Sequence, residues 1–276
     1  MIDRRTRLLG TRDPAGLNGL EIGPSHAPLI AKTAGPVRYV DYALTDELRR
    51  NFISAQVSPD RIVEVDIAWG DNRLKDAVGG TVDYVVASHV IEHAPDLVGW
   101  LAEIREVLVP GGLLGLAIPD RRFTFDLLRP QSTLGEMVEA HLLGYRRPSI
   151  RQVFDSHAGT RPVDLSEAWS RDLTRTLQPV AGKRAKAMGL VRDLQGGRYV
   201  DSHCWVFTPA SFLDQLEAML ELGWLGYAVE HFHPTDEGDM EFHVRLVAED
   251  DAAVIGRSLA AAREALAGAA VPPEDA

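Results

Sequence analysis

Apolar runs of strand length recur along the first 120 residues, and each closes on a small, acidic or proline residue. They end at Gly23 (LNGLEIG), Asp41 (VRYVD), Asp66 (RIVEVD), Ala87 (VDYVVA) and Pro119 (GLLGLAIP), with helical or loop sequence between them. This alternation predicts an α/β fold, and continuous apolar strands predict a parallel sheet covered on both faces. The clearest helix lies between the fourth and fifth runs. There DLVGWLAEIREVL sets Leu97, Leu101, Ile104 and Leu108 at steps of three and four, and Pro110-Gly111-Gly112 is expected to stop it.

Beyond Pro119 the rhythm breaks until Phe207, through a stretch of arginines and scattered aromatics. It resumes at TPASFLDQLEAMLELGW, where Thr208 suits an N-cap, Pro209 the first helical position and Gly223 the stop. The runs WLGYAVEHFH and MEFHVRLVA, joined by the turn-rich PTDEGD, predict an antiparallel hairpin. The tail AAAREALAGAAVPPEDA reads as a helix fraying into a flexible end. The expected organisation is a cofactor-binding core over 1–120, an inserted substrate-binding lid over 121–207, completion of the core over 208–250, and a helix with a flexible tail over 251–276.

Composition narrows the class. No run of about 18 apolar residues exists and the first residues hold no signal-like apolar stretch, so a cytoplasmic chain without a membrane span is expected. Cys204, the single cysteine, cannot form an internal disulfide. The net charge of −11 argues against nucleic-acid partners. The charge is uneven, however: the segment 121–207 carries 14 Lys and Arg against 9 Asp and Glu, on a chain that is otherwise acidic.

In an open parallel sheet, ligands bind beyond the carboxyl ends of the strands, near the point where strand order reverses. Gly23 at the first end permits close backbone approach, and Glu21 places a carboxylate beside it. Asp41 at the second end can take the two hydroxyls of a ribose. Asp66 at the third can accept from an adenine amino group, with Ile67 against the ring. Three carboxylates around one crevice favour a cationic ligand over a pyrophosphate, which wants bare amides and more glycine.

The series LEIGPS, VDYAL, VDIAW and VDYVVASHVIEHAPDLVGWLAEIREVLVPGGLLGLAIPD resembles the class I S-adenosylmethionine-dependent methyltransferases, over Asn18–Asp120 and more loosely over Thr208–Ala248. The resemblance implies a doubly wound, Rossmann-like, mostly parallel seven-stranded sheet in the order 3-2-1-4-5-7-6, ending in an antiparallel hairpin. It implies S-adenosylmethionine across the first four strand ends, with Glu21 and Gly23 near the methionine moiety, Asp41 at the ribose, Asp66 and Ile67 at the adenine, and Ser88 and His89 near the sulfonium. Where the family commonly has further glycines, this chain has Pro24, Ser25 and His26. The implied turn is stiffer, with the Ser25 hydroxyl in place of an amide.

The stretch HVIEH, His89 to His93, matches the H-x-x-E-H zinc pattern. Pro95 disfavours a helix there and no third ligand is evident in the sequence, so a structural role for Glu92 and His93 is expected and no metal. The long insertion reads as a lid. Arg121 and Arg122, at the fifth strand's carboxyl end, are the candidate contacts to an anionic or polyhydroxylated acceptor. Methyl transfer to a hydroxyl needs alignment and proton removal, and histidine suits the second task. His203 (DSHCWVFTP) and His157 (FDSHAGT) are the candidate bases, with Asp201 and Asp155 to orient them. IPDRRFTFDLLRP and DSHCWVFTPASF also resemble a bacterial methyltransferase subgroup associated with cell-surface glycan assembly. The expected reaction is O-methylation of a sugar, glycolipid or similar anionic metabolite; N- or C-methylation of a small metabolite and a non-catalytic cofactor-binding regulatory protein stay open, as does a homodimer.

Overall fold

Gly19–Ile22 form β1, buried along their whole length as the apolar run requires. The computed structural model describes residues 3–51, 57–174 and 177–269. β1 pairs in parallel with β2 (Val37–Asp41) on one side and β4 (Val82–Ser88) on the other. β3 (Ile67–Ala68) extends the sheet beyond β2, and β5 (Leu108–Pro119) continues it beyond β4. The hairpin strands β6 (Tyr227–His233) and β7 (Glu241–Ala248) close it, with β7 antiparallel to β5. The order is β3-β2-β1-β4-β5-β7-β6, the seven-stranded arrangement expected. Strand order reverses between β1 and β4, which fixes the crevice at their carboxyl ends.

Helices α2 (Thr45–Asn51), α3 (Leu74–Val78), α4 (Leu97–Val107), α9 (Pro209–Glu221) and α10 (Ala252–Ala267) connect or flank the strands. α9 begins as its sequence predicts, with a Thr208 capping box, Pro209 at its start and left-handed Gly223 beyond its end. α4 buries Leu97, Leu101 and Ile104, but Leu108 is already strand and Pro110-Gly111-Gly112 do not stop the helix. They occupy the register shift between the Val82↔Leu108 and Tyr84↔Leu113 pairs instead.

No helix forms between β1 and β2 among the described residues; 23–36 run as a chain of turns. The face they leave is covered by α1 (Arg4–Leu9), whose Leu8 and Leu9 join Ile30, Tyr39, Tyr84 and Leu113 in a second core. α1 lies so close to β5 that a Cβ on Gly115 would stand 2.5 Å from the Leu8 carbonyl oxygen.

The insertion after β5 contains α5 (Leu134–Leu142), α6 (Ile150–Gly159), α7 (Leu165–Ser170) and α8 (Lys183–Gln195). Met137 and Ala140 of α5 join the main core, whereas Val153, Val191 and Val200 make a small core of their own between α6, α8 and the returning chain. That returning chain, 199–207, is a strap across the strand ends. Tyr199 stacks on Tyr42 past β2, the amides of Cys204 and Trp205 donate to the Glu92 carbonyl past β4, and Phe207 bridges Asp120 past β5. No described helix is long and apolar enough to cross a membrane. Residues 270–276, the end of the tail expected to fray, lie outside the described residues.

Candidate active site

Gly23 leaves β1 at φ +66, a left-handed conformation that favours glycine, and a Cβ there would meet Val90 Cγ2 at 2.6 Å. Both the turn and the close approach of the chain beyond β4 therefore require glycine. Ser25 is also left-handed, with its hydroxyl 3.3 Å from His26 Nδ1 and its carbonyl accepting from Val63. Glu21 is buried, and its carboxylate accepts from the amides of Leu29 and Ile30 at 2.7 and 2.9 Å. Burial lifts its pKa to about 6 despite those two bonds. Glu21 thus holds the helix-less turn in shape.

Asp41 stands at the carboxyl end of β2 and accepts from the following amide, that of Tyr42, at 2.8 Å. Burial raises its pKa to about 6, with the nearby charge of Asp201 adding to the rise. This donor-hungry carboxylate beside a left-handed glycine fits a ligand that presents hydroxyls. Asp66 is differently placed from its expected position. β3 starts one residue later, Val40 is level with Ile67 and Asp41 with Ala68, so Asp66 lies behind the strand end. Its carboxylate is taken by Lys32 Nζ at 2.6 Å and by the Tyr39 amide at 2.7 Å. Ile67 packs against the main core, and Ala68 and Trp69 occupy the strand end.

Past β4, Ser88 ends the strand and His89 is left-handed at φ 54. His89 Nε2 pairs with Glu241 Oε2 at 2.7 Å, while its Nδ1 lies 3.7 Å from Glu92 Oε1. Burial would raise Glu241, but hydrogen bonds from His243, His89 and Arg4 hold it well below the usual carboxylate range. Next, the 3-10 turn Ile91–His93 carries Glu92, fully buried. His93 Nε2 approaches Glu92 Oε1 to 3.9 Å and its Nδ1 pairs with Asp201 at 2.9 Å. Burial works against a charged His93, but the hydrogen bond and charge of Asp201, together with Glu92 and Asp126, outweigh it and lift the pKa to about 9.

The strap brings His203 to the same place. Its Nδ1 lies 2.5 Å from Asp126 Oδ2 and its Nε2 4.0 Å from Glu92 Oε1, and its ring meets His93 edge-on at 4.7 Å. Asp126, itself paired with buried Arg129 at 2.7 Å, therefore orients His203, and Asp201 orients His93. Neighbours in sequence suggested Asp201 for His203, but the Asp201 carboxylate pairs with His93 instead. His157 on α6 uses Nε2 towards the Asp201 carbonyl and the Ser202 hydroxyl, at 3.1 and 3.2 Å, and burial lowers its pKa. Asp155 faces Arg151 at 3.8 Å.

Arg121 and Arg122 do not form an open rim. Arg122 is buried with its fork closed on Asp120 at 2.6 Å, and Arg121 donates to the Leu127 carbonyl at 2.7 Å. Elsewhere in the insertion, Arg146 staples it to Glu103 of α4 and to the carbonyls of Asp71 and Asn72, and Arg151 pairs with Glu136. The basic excess of this segment is largely spent on holding it together and onto the core.

The sequence reading missed Asp126 and Glu241 as site residues. Glu241, His243 and Arg245 alternate with apolar Phe242, Val244 and Leu246 along β7, a pattern that reads in sequence as an ordinary solvent-facing side, so Glu241 gave no signal of its own. Asp126 lies in irregular chain and gives none either.

The family described as "Methyltransferase domain" matches residues 1–219. No curated protein matches the chain significantly. Among solved structures, the CcbJ methyltransferase from Streptomyces caelestis is 14% identical with a TM-score of 0.45, covering 89% of each chain. An S-adenosylmethionine-dependent methyltransferase from Mesorhizobium loti is 15% identical with a TM-score of 0.43, over 88% of this chain and 94% of that one. The CurJ carbon methyltransferase is 14% identical with a TM-score of 0.39 over 87% of this chain, which spans only 50% of the CurJ chain.

Proposed function

The chain belongs to the methyltransferase-domain family, whose enzymes take their methyl group from S-adenosylmethionine, and from that premise we propose that it methylates a hydroxyl of a sugar or similar polyhydroxylated small molecule. When bound, S-adenosylmethionine supplies a methyl group on a sulfonium, which an oxygen lone pair takes as the C–S electron pair returns to sulfur. Asp41 would hold the ribose hydroxyls, Gly23 and the Ser25 turn would admit the methionine end past Val90, and Ala68 with Trp69 would replace Asp66 and Ile67 at the adenine. Ser88 and His89 would flank the sulfonium.

The observation that carries the choice of acceptor is the His203–Asp126 pair. Asp126 holds Nδ1, which leaves Nε2 turned towards the strand ends as an acceptor for a hydroxyl proton. His157 is the weaker candidate, because its Nε2 is already engaged. An amine or carbon acceptor that is already nucleophilic would leave the pair without a task. The arginines that suggested an anionic or polyhydroxylated acceptor are engaged by Asp120 and the Leu127 carbonyl, so the choice of a hydroxyl acceptor rests on the histidine pair. The test is incubation with S-adenosylmethionine and a panel of free and nucleotide-linked sugars, read by mass spectrometry. A 14-dalton gain on a sugar hydroxyl supports the reading, and a gain only on amines overturns it.

A further inference from the structure

Glu92 is fully buried, and neither carboxylate oxygen has a hydrogen-bond partner among the described residues. Buried charges are ordinarily paired or bound to metal. Its neighbours converge without bonding: His93 Nε2 at 3.9 Å and His203 Nε2 at 4.0 Å stand outside hydrogen-bond reach of Oε1. The three residues offer ligand atoms that all lie within 4.8 Å of one another. Three atoms at these separations share a point about 2.3 to 2.5 Å from each, so side-chain shifts of a few tenths of an ångström would bring them to the length of a bond from a transition-metal ion to imidazole or carboxylate. The outer nitrogens are held as well. His93 Nδ1 faces Asp201 at 2.9 Å and His203 Nδ1 faces Asp126 at 2.5 Å, so each Nε2 points inward, where a cation would take the place of any proton on it. A carboxylate behind each ligating imidazole is the usual second shell of a metal site.

We propose that Glu92, His93 and His203 form a site for one divalent first-row transition-metal ion, with coordination positions left for oxygens of the acceptor. Two imidazoles and one carboxylate favour the manganese-to-zinc series over magnesium or calcium. The third ligand, which the HVIEH stretch lacks, comes from the strap, so the cation would also fasten the insertion to the turn after β4. This deepens the proposed function by changing how the proton leaves: a hydroxyl bound to the cation is acidified and gives its proton to solvent, and His203 serves as a ligand instead of as the base. It rests on that reading for the hydroxyl acceptor, and supplies that acceptor with a different ground: the cation, in place of the His203 base, would acidify the bound oxygen.

The test begins with chelator-treated protein titrated with Zn2+, Co2+ and Mg2+, with and without S-adenosylmethionine. We expect one Zn2+ or Co2+ per chain by elemental analysis after gel filtration, a visible Co2+ spectrum of a nitrogen-and-oxygen site, and no comparable Mg2+ binding. His203→Ala should abolish the Co2+ spectrum. Because that change may disturb the strap, the exposed outer partner is tested too: Asp201→Asn should weaken the ion about 10-fold while leaving one site per chain. If the wild-type protein binds S-adenosylmethionine but no Zn2+ or Co2+, or if the spectrum survives unchanged in both variants, the cation site is wrong and direct proton transfer to His203 stands. If the ion binds and no sugar is methylated, the cation site stands and the acceptor assignment falls.

Discussion

At the scale of single residues, Asp41 carries the sharpest expectation. A carboxylate that takes two hydroxyls must be ionised, and burial has raised this one to about 6. Affinity for S-adenosylmethionine should therefore rise with pH through about 6 and level off above it, with binding roughly 10-fold weaker one unit below. Calorimetry at pH 5 and 7.5 measures this. Asp41→Ala should cost about 1 to 3 kcal/mol of binding at pH 7.5, and Asp41→Asn should flatten the pH profile. Glu21 is raised to a similar value but spends its oxygens on Leu29 and Ile30, so a profile that persists in Asp41→Asn would shift the titration to Glu21 and remove Asp41 from the ribose. Gly23 gives a second expectation. Gly23→Ala combines a left-handed φ with the Val90 clash and should destabilise the fold by about 2 to 4 kcal/mol, whereas Gly111→Ala, equally left-handed but with nothing within 4 Å, should cost about 1 kcal/mol. Val90→Ala should return part of the Gly23→Ala loss; equal losses at both glycines in chemical denaturation would show that the contact is irrelevant.

Among the elements, the sequence made most of the sheet legible because its strands are apolar and its turns carry glycine, proline or aspartate. VRYVD was read to the residue, and the α9 boundaries followed from Thr208, Pro209 and Gly223. Register was not legible. RIVEVD ends like VRYVD, yet pairing Val40 with Ile67 sets Asp66 one step back and gives the strand end to Ala68. The site itself was half visible. Asp41, Gly23 and His203 stand at the strand ends as position and residue type suggest, but the partners of His203 and His93 depend on how the irregular stretches of the insertion fold back, which no periodicity encodes. The strap is the element to test. Tyr199 stacks on exposed Tyr42 with ring centroids 5.0 Å apart, directly past Asp41. A pair of this kind is worth about 0.5 to 1.5 kcal/mol, so Tyr199→Ala should speed release of S-adenosylmethionine about 2- to 10-fold in stopped flow with little change in melting temperature. An unchanged release rate would mean the strap does not cover the cofactor.

For the molecule as a whole, the missing helix after β1 has a compensation, and acid should expose it. With 23–36 reduced to turns, the second core depends on α1, whose Leu8 and Leu9 cover β4 and β5 from outside the alternating series. Hydrophobic contact is reinforced by charge: Arg4 pairs with Glu241, Arg7 with Asp236, and Arg12 with Glu230. Glu241 is the pivot, because it joins α1 through Arg4, β7 through His243 and the turn after β4 through His89. Its pKa is held below the usual carboxylate range when folded, so it binds fewer protons in the native than in the unfolded state. The stability it contributes is present above the unfolded value near 4.5 and is lost as pH falls below it. Glu241→Gln should thus lower unfolding free energy by about 2 kcal/mol at pH 7, and the gap from wild type should shrink progressively below pH 4.5. Because the amide alters the hydrogen bond that orients His89 Nε2, the variant should also slow methyl transfer, whereas Arg12→Met, which breaks only the outer pair with Glu230, should cost less than about 1 kcal/mol and leave the rate alone. Urea denaturation across pH 3 to 8 separates the cases: a gap for Glu241→Gln that stays constant down to pH 3 would show that the residue acts through packing, and that α1 is held by Leu8 and Leu9 without help from charge.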